Sequence, residues 1–211
     1  MAAQSIAYTR RQLSRARNTA TQALAAPEGQ QVALRILAPD MIAQCNAFDA
    51  ADTAAQQAAP AAKKEVAEGN QAMTALASQF DQAREVTAAK LGISYEAASA
   101  FATPDDLLNA AEDLEAQLQN ADPSWAEALL AASGAALETA TREQKEGTDA
   151  LKALQKAQLQ REQAEGAMRP VLVRFRRGVR ATFGSKSREY RELLDRRSRR
   201  PGEDPVEPEQ Q

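Results

Sequence analysis

The sequence predicts an all-α protein: an antiparallel up-down helical bundle of about four main helices, with a short C-terminal helix. Three observations lead there. Apolar residues recur at helical spacing through nearly the whole chain, and no alternating stretch rich in β-branched residues competes with them. Alanine, the residue that loses least entropy in a helix, makes up nearly a quarter of the 211 residues. The breaks between helical stretches are short and carry proline, glycine and capping residues, which suits antiparallel neighbours.

The first helix is expected from about Gln4 to Ala26, with Ile6, Leu13, Ala20 and Leu24 on one face, ended by Pro27-Glu28-Gly29. A second helical stretch begins near Gln30. Its apolar stripe is Leu34, Leu37, Met41, Cys45 and Phe48, then Met73, Leu76, Phe80 and Ala83, and Gly92 closes it. Pro39 and Pro60 fall inside this stretch and predict kinks or short breaks, because each removes a backbone donor.

Tyr95 to Phe101 reads as a short helix or an ordered loop. Thr103-Pro104-Asp105-Asp106 is the clearest helix start in the chain. Thr103 caps, Pro104 suits the first helical position and the two acids complement the positive helix end. Leu107, Ala111, Leu114 and Leu118 supply its apolar face. Asp122-Pro123 repeats the device and opens a last long helix at Trp125. That helix runs to Thr182, with a kink expected at Pro170, and stops at Gly184. Ser187 caps a short helix through Leu194. The domain boundaries follow: one alanine-rich bundle over 1–195, and a basic then acidic tail over 196–211 that is expected to be disordered from Pro201. No internal repeat is evident.

Composition narrows function more than it names it. There is no histidine, which removes the usual general base, the usual proton shuttle and the commonest metal ligand. The single Cys45 forms no internal disulfide and sits on an apolar stripe, so an inert buried thiol is expected. No apolar run approaches the roughly 18 residues of a membrane span. The expected compartment is a reducing cytoplasm, although the Arg-rich, acid-free N-terminus also has the character of an organelle transit peptide. Alanine buries little area per side chain, so burial between chains is a natural supplement to a modest core.

Against this background few side-chain clusters suggest a chemical site. Acidic groups such as Glu112, Asp113 and Glu115, or Asp49 and Asp52, read as solvated faces, and no metal is expected. Gly178 to Ser187 has the look of a phosphate-binding loop, but its glycine spacing is too long and Lys186 does not follow Gly184 directly. The segment also follows a helix, whose negative end would face the phosphate. Trp125 beside its proline cap is expected to anchor one end of the bundle. No catalytic residue, cofactor or cofactor fingerprint is found.

Charge is the one feature that suggests a function. Residues 169–200 hold 12 basic and 3 acidic side chains, the first helix carries Arg10, Arg11, Arg15 and Arg17 with no acid, and residues 27–168 hold 10 basic and 22 acidic. At 100° per residue Met168, Leu172, Phe175, Val179 and Phe183 share one face, and Arg169, Arg176, Arg177 and Arg180 another. Lys186, Arg188, Arg191, Arg196, Arg197, Arg199 and Arg200 continue the basic run. These residues form the candidate contact surface. They either pair with the acidic middle region, in this chain or a neighbouring one, or meet a phosphate-bearing partner. Without a base-reading motif or an aromatic platform, binding to nucleic acid would be weakly specific.

The stretch Gly178-Val179-Arg180-Ala181-Thr182-Phe183-Gly184-Ser185-Lys186-Ser187-Arg188-Glu189-Tyr190, with Arg196 to Arg200 beyond, resembles the C-terminus of uncharacterised bacterial helical-bundle proteins. Their pattern runs roughly V-[KR]-A-x-[FY]-G-x-x-S-x-E-Y. This chain departs from it where those proteins commonly carry Asp before the Ser and Gly-Gly after the Tyr. The resemblance implies a bundle fold and no reaction. The expectation is therefore a non-enzymatic structural or interaction protein that self-associates as a homo-oligomer or binds another protein. The alternative is a nonspecific nucleic-acid-binding or packaging protein that uses residues 169–200.

Overall fold

The computed structural model describes residues 6–194, and among these no strand occurs. The helices are α1 (Ile6–Ala25), α2 (Val32–Leu91), α3 (Pro104–Gln119), α4 (Pro123–Phe183) and α5 (Arg188–Leu193), with a 3-10 turn at Ala98–Ala100 before α3. The all-α bundle is as predicted. The tail 196–211, including Arg196, Arg197, Arg199 and Arg200, lies outside the described residues.

The boundaries follow the local chemistry. Gly92 and Gly184 end α2 and α4 with φ of 71° and 89°, a left-handed conformation that glycine adopts without a Cβ penalty. Their N–H groups close the last turns on the carbonyls of Ala88 and Arg180. Thr103 caps α3 through a full capping box: its hydroxyl accepts from Asp106 N, while the Asp106 carboxylate accepts from Thr103 N. Ser187 accepts from Tyr190 N at the start of α5.

One expectation is narrowed and another needs correction. Helical geometry runs unbroken through Pro39 and Pro60, as it does through Pro170, so the short breaks considered at the first two do not occur. All three prolines are exposed, so the carbonyl each leaves without a helical donor can be hydrated, and the good helix formers on either side carry the helix on. Leu24 does not join the buried face of α1 and is 41% exposed. Ala16, Ala20 and Ala23 lie fully buried beside Leu13 instead. One step past Ala23, Leu24 is turned 100° away from that face.

The chain divides into two compact units. The first comes from the segments Met1–Thr53 and Leu159–Gln211, and the second is Ala54–Gln158. In the first unit α1 runs antiparallel to the start of α2, with Arg10 on Asp52 and Arg35 donating to the Ala26 carbonyl. The end of α4 also runs antiparallel to α2, with Arg161 beside Asp52 and Gly178 against Leu34 and Leu37. The core is Leu13, Leu34, Met41, Cys45, Phe48, Met168, Leu172, Phe175 and Val179, closed by Leu193 of α5. In the second unit Leu76 and Phe80 of α2 meet Leu107, Leu114 and Leu118 of α3 and Leu137 of α4. Tyr95 and Phe101 stand edge-on to Phe80, at ring-centroid distances of 6.1 and 5.8 Å, which pins the segment between α2 and α3. Trp125 packs half-buried on this second core.

Candidate functional site

On α4 the predicted apolar stripe is the buried one, and the arginine stripe lies outside it. Met168, Leu172, Phe175 and Val179 are buried; Arg169, Arg177 and Arg180 are exposed and Arg176 is half-buried. Arg176 reaches across to donate to Gln12 Oε1 of α1 at 2.8 Å, and Gln12 in turn donates to the Tyr8 hydroxyl. Arg169 pairs with Glu165 one turn earlier on its own helix, at 2.9 Å. Arg188 pairs with Glu192 in the same manner at 2.7 Å, which raises the arginine's pKa and lowers that of the acid. Arg191 donates to the nearby Ser187 carbonyl. Arg177, Arg180 and Lys186, together with Arg174, are exposed and enter no ion pair among the described residues.

The cross-helix pairs of the first unit come from elsewhere. Arg10 meets Asp52 at 2.5 Å, Arg17 meets Asp49 at 2.6 Å, and Arg161 approaches Asp52 at 4.0 Å. The Asp52 side chain is only 5% exposed, and its hydrogen bond to Arg10 raises the arginine's pKa. So acids of α2 are taken by arginines of α1 and by Arg161, just ahead of the predicted basic segment. Between Arg169 and Leu194 the acidic partners seen among the described residues, Glu165 and Glu192, are local. Arg15 donates to the Glu192 carbonyl, and a polar cleft of about 330 Å³ between α1 and α5 is lined by Arg15, Asn18, Gln22, Arg188 and Glu192.

Cys45 is fully buried and directs its thiol at the Leu13 carbonyl, 3.6 Å away. Burial pushes its pKa up to about 11, so it stays a protonated, unreactive thiol at neutral pH.

In the second unit, Gly69 of α2 faces the Glu143 carbonyl of α4, and Gly147 of α4 faces the Glu65 carbonyl of α2. A Cβ added at either would come within 3.3 and 3.4 Å of those oxygens. This close antiparallel crossing gathers Glu65, Glu68, Glu143 and Glu146 along a groove of about 440 Å³. Oxygens of Glu65, Glu68 and Glu143 lie within 4.8 Å of one another. Lys64 pairs with Glu65 and Glu68, and Arg142 with Glu143, so the cluster carries its own cations. The acidic sets weighed on sequence behave differently: Asp49 and Asp52 are held by Arg17 and Arg10, and Glu112, Asp113 and Glu115 do not converge as a three-carboxylate group.

The crossing exposes a pattern missed on sequence. Both of its sides read [KR]-E-x-x-E-G, as Lys64-Glu65-Val66-Ala67-Glu68-Gly69 and Arg142-Glu143-Gln144-Lys145-Glu146-Gly147. The same hexapeptide occurs a third time, as Arg161-Glu162-Gln163-Ala164-Glu165-Gly166. It is too short and too interrupted to register as a structural repeat. The useful signal was a glycine recurring behind paired acids inside long helices, where glycine costs roughly 1 kcal/mol against alanine.

Comparison with protein-family models, with curated proteins and with solved structures finds no match. No helix among the described residues is long and apolar enough to cross a membrane.

Proposed function

We propose that this is a non-enzymatic structural or interaction protein that self-associates through its alanine-rich helices and opposed charge blocks. The observation that carries this reading is the exposure of large aliphatic side chains on long helices: Val32 and Ile36 one turn apart on α2, and Leu159 and Val173 on α4. The buried faces of those helices spend many positions on alanine, so burying these side chains between chains adds area that the core lacks. With no histidine in the chain and its single thiol held protonated, neither imidazole nor thiolate chemistry speaks for a reaction. The resemblance of the C-terminal segment to helical-bundle proteins without a known activity agrees with this reading. Size-exclusion chromatography with light scattering on the full chain tests it. A mass above the 22.7 kDa of one chain supports it, and one-chain mass at every concentration refutes it.

A second reading is favoured by one observation. Arg174, Arg177, Arg180 and Lys186 are exposed and enter no ion pair among the described residues, as a surface for a polyanion requires. Fluorescence anisotropy of a random-sequence oligonucleotide tests it. Binding that weakens steeply with salt and is lost on replacing Arg174, Arg177 and Arg180 by glutamine supports a phosphate-contacting face. No binding at low salt removes this reading.

A further inference from the structure

We infer that the face of α4 centred on Gly166 is a self-docking surface, on which a second copy of this chain seats its own Gly166 face antiparallel. The inference rests on the self-association proposed above and names the surface responsible. Two of the three [KR]-E-x-x-E-G hexapeptides are already joined to each other, each glycine receiving the carbonyl of the other's first glutamate. The motif therefore has a demonstrated complement in this fold, and that complement is the motif itself, run antiparallel. The third copy lacks one. Gly69 and Gly147 are buried, whereas Gly166 is exposed and a Cβ built on it meets nothing within 4 Å.

The surroundings of Gly166 suit an isologous contact. Leu159 and Val173 lie seven residues before and after it, on the same side of the helix, and are 55% and 45% exposed. Pro170, four residues on, has no N–H to give the Gly166 carbonyl, so that oxygen is open to an outside donor. In the register of the internal crossing, Glu162 of one protomer lies against its partner's Gly166. Glu162 then falls within a turn of the partner's Arg169, and symmetry makes this opposite-charge approach twice. Small residues at the crossing let the two backbones come near the close end of helix spacing, and the aliphatic pairs close over it.

Sedimentation velocity of the full chain, wild type against Gly166→Leu, is the test. Leucine is a good helix former and has open space at this position, so helix content by circular dichroism should be unchanged. The inference expects an assembled wild type and a shift of Gly166→Leu to the one-chain species, with at least a tenfold weaker association. Glu162→Arg and Arg169→Glu should each weaken assembly, and the double variant should restore it, which keeps the inference testable if Gly166→Leu fails to fold. An assembled wild type that none of these changes affects overturns this surface and leaves self-association standing. A wild type that sediments as one chain at all concentrations overturns both.

Discussion

Gly69 sits against the Glu143 carbonyl so closely that a Cβ would come within 3.3 Å of it, and the contact is returned by Gly147 on the Glu65 carbonyl. The pair explains why two long helices rich in alanine each carry a glycine that local propensity disfavours. Side-chain volume added at either position pushes on backbone, which cannot move aside as a flexible side chain can. Gly69→Val and Gly147→Val are each expected to destabilise by about 1–3 kcal/mol. Gly166→Ala, with nothing to meet, should instead stabilise by up to about 1 kcal/mol. Urea unfolding at low protein concentration measures all three, and equal effects at the three glycines would contradict the distinction.

Asp52 is a buried acid of the first unit, serving Arg10 and lying near Arg161. Asp52→Ala removes the acceptor and leaves two arginines without it, an expected loss of about 1.5–3 kcal/mol. Breaking the exposed Arg188–Glu192 pair by Glu192→Gln should cost far less, because water and salt screen a pair on the surface. Thermal melts of the two variants separate these effects, and a harmless Asp52→Ala would remove Asp52 from the framework of the unit.

Asp81 accepts from Ala98 N and from Arg84, and both contacts hold its carboxyl below the usual range. The unfolded chain therefore binds this proton more readily than the folded one. The stability it supplies is complete above the unfolded value of about 3.9 and is lost as pH falls through the lower folded value. Asp122, accepting from Ser124 N at the start of α4, shifts the same way. The protection factor of the Ala98 amide, taken against its intrinsic exchange rate at each pH, should fall as pH drops from 6 to about 3, and Asp81→Asn should flatten the response. Unchanged protection over the whole range would contradict the assignment.

Cys45, buried and pushed to a pKa of about 11, is expected to resist thiol reagents in the native protein and to react fully once urea unfolds it. Its labelling rate then reports opening of the first unit. Rapid stoichiometric labelling without denaturant would show that the unit opens readily around Leu13 and Phe48.

Much of the fold was legible because its signals are local. The Thr103 cap, the glycines at 92 and 184, and the apolar stripe from Leu107 to Leu118 depend on neighbours within a few residues, and the structure bears them out. At Pro39 and Pro60 the sequence could not decide against a break, because the cost of a missing donor depends on exposure, which periodicity does not give. Leu24 misled because Ala23, one step away, served the same face with less volume. The candidate surface was legible only in outline. The α4 stripes were correctly separated, yet acids of α2 turned out to be held by Arg10, Arg17 and Arg161. Those pairs join residues from 32 to 109 positions apart, a choice that charge totals cannot make. The glycine crossing was invisible for the same reason, since Gly69 and Glu143 become neighbours only when α2 and α4 pack.

The molar mass of the full wild-type chain in solution, by light scattering over a wide range of concentration, tests the central claim most directly. The account predicts a mass that rises above 22.7 kDa as concentration increases. A mass that stays at that of a single chain throughout would contradict it.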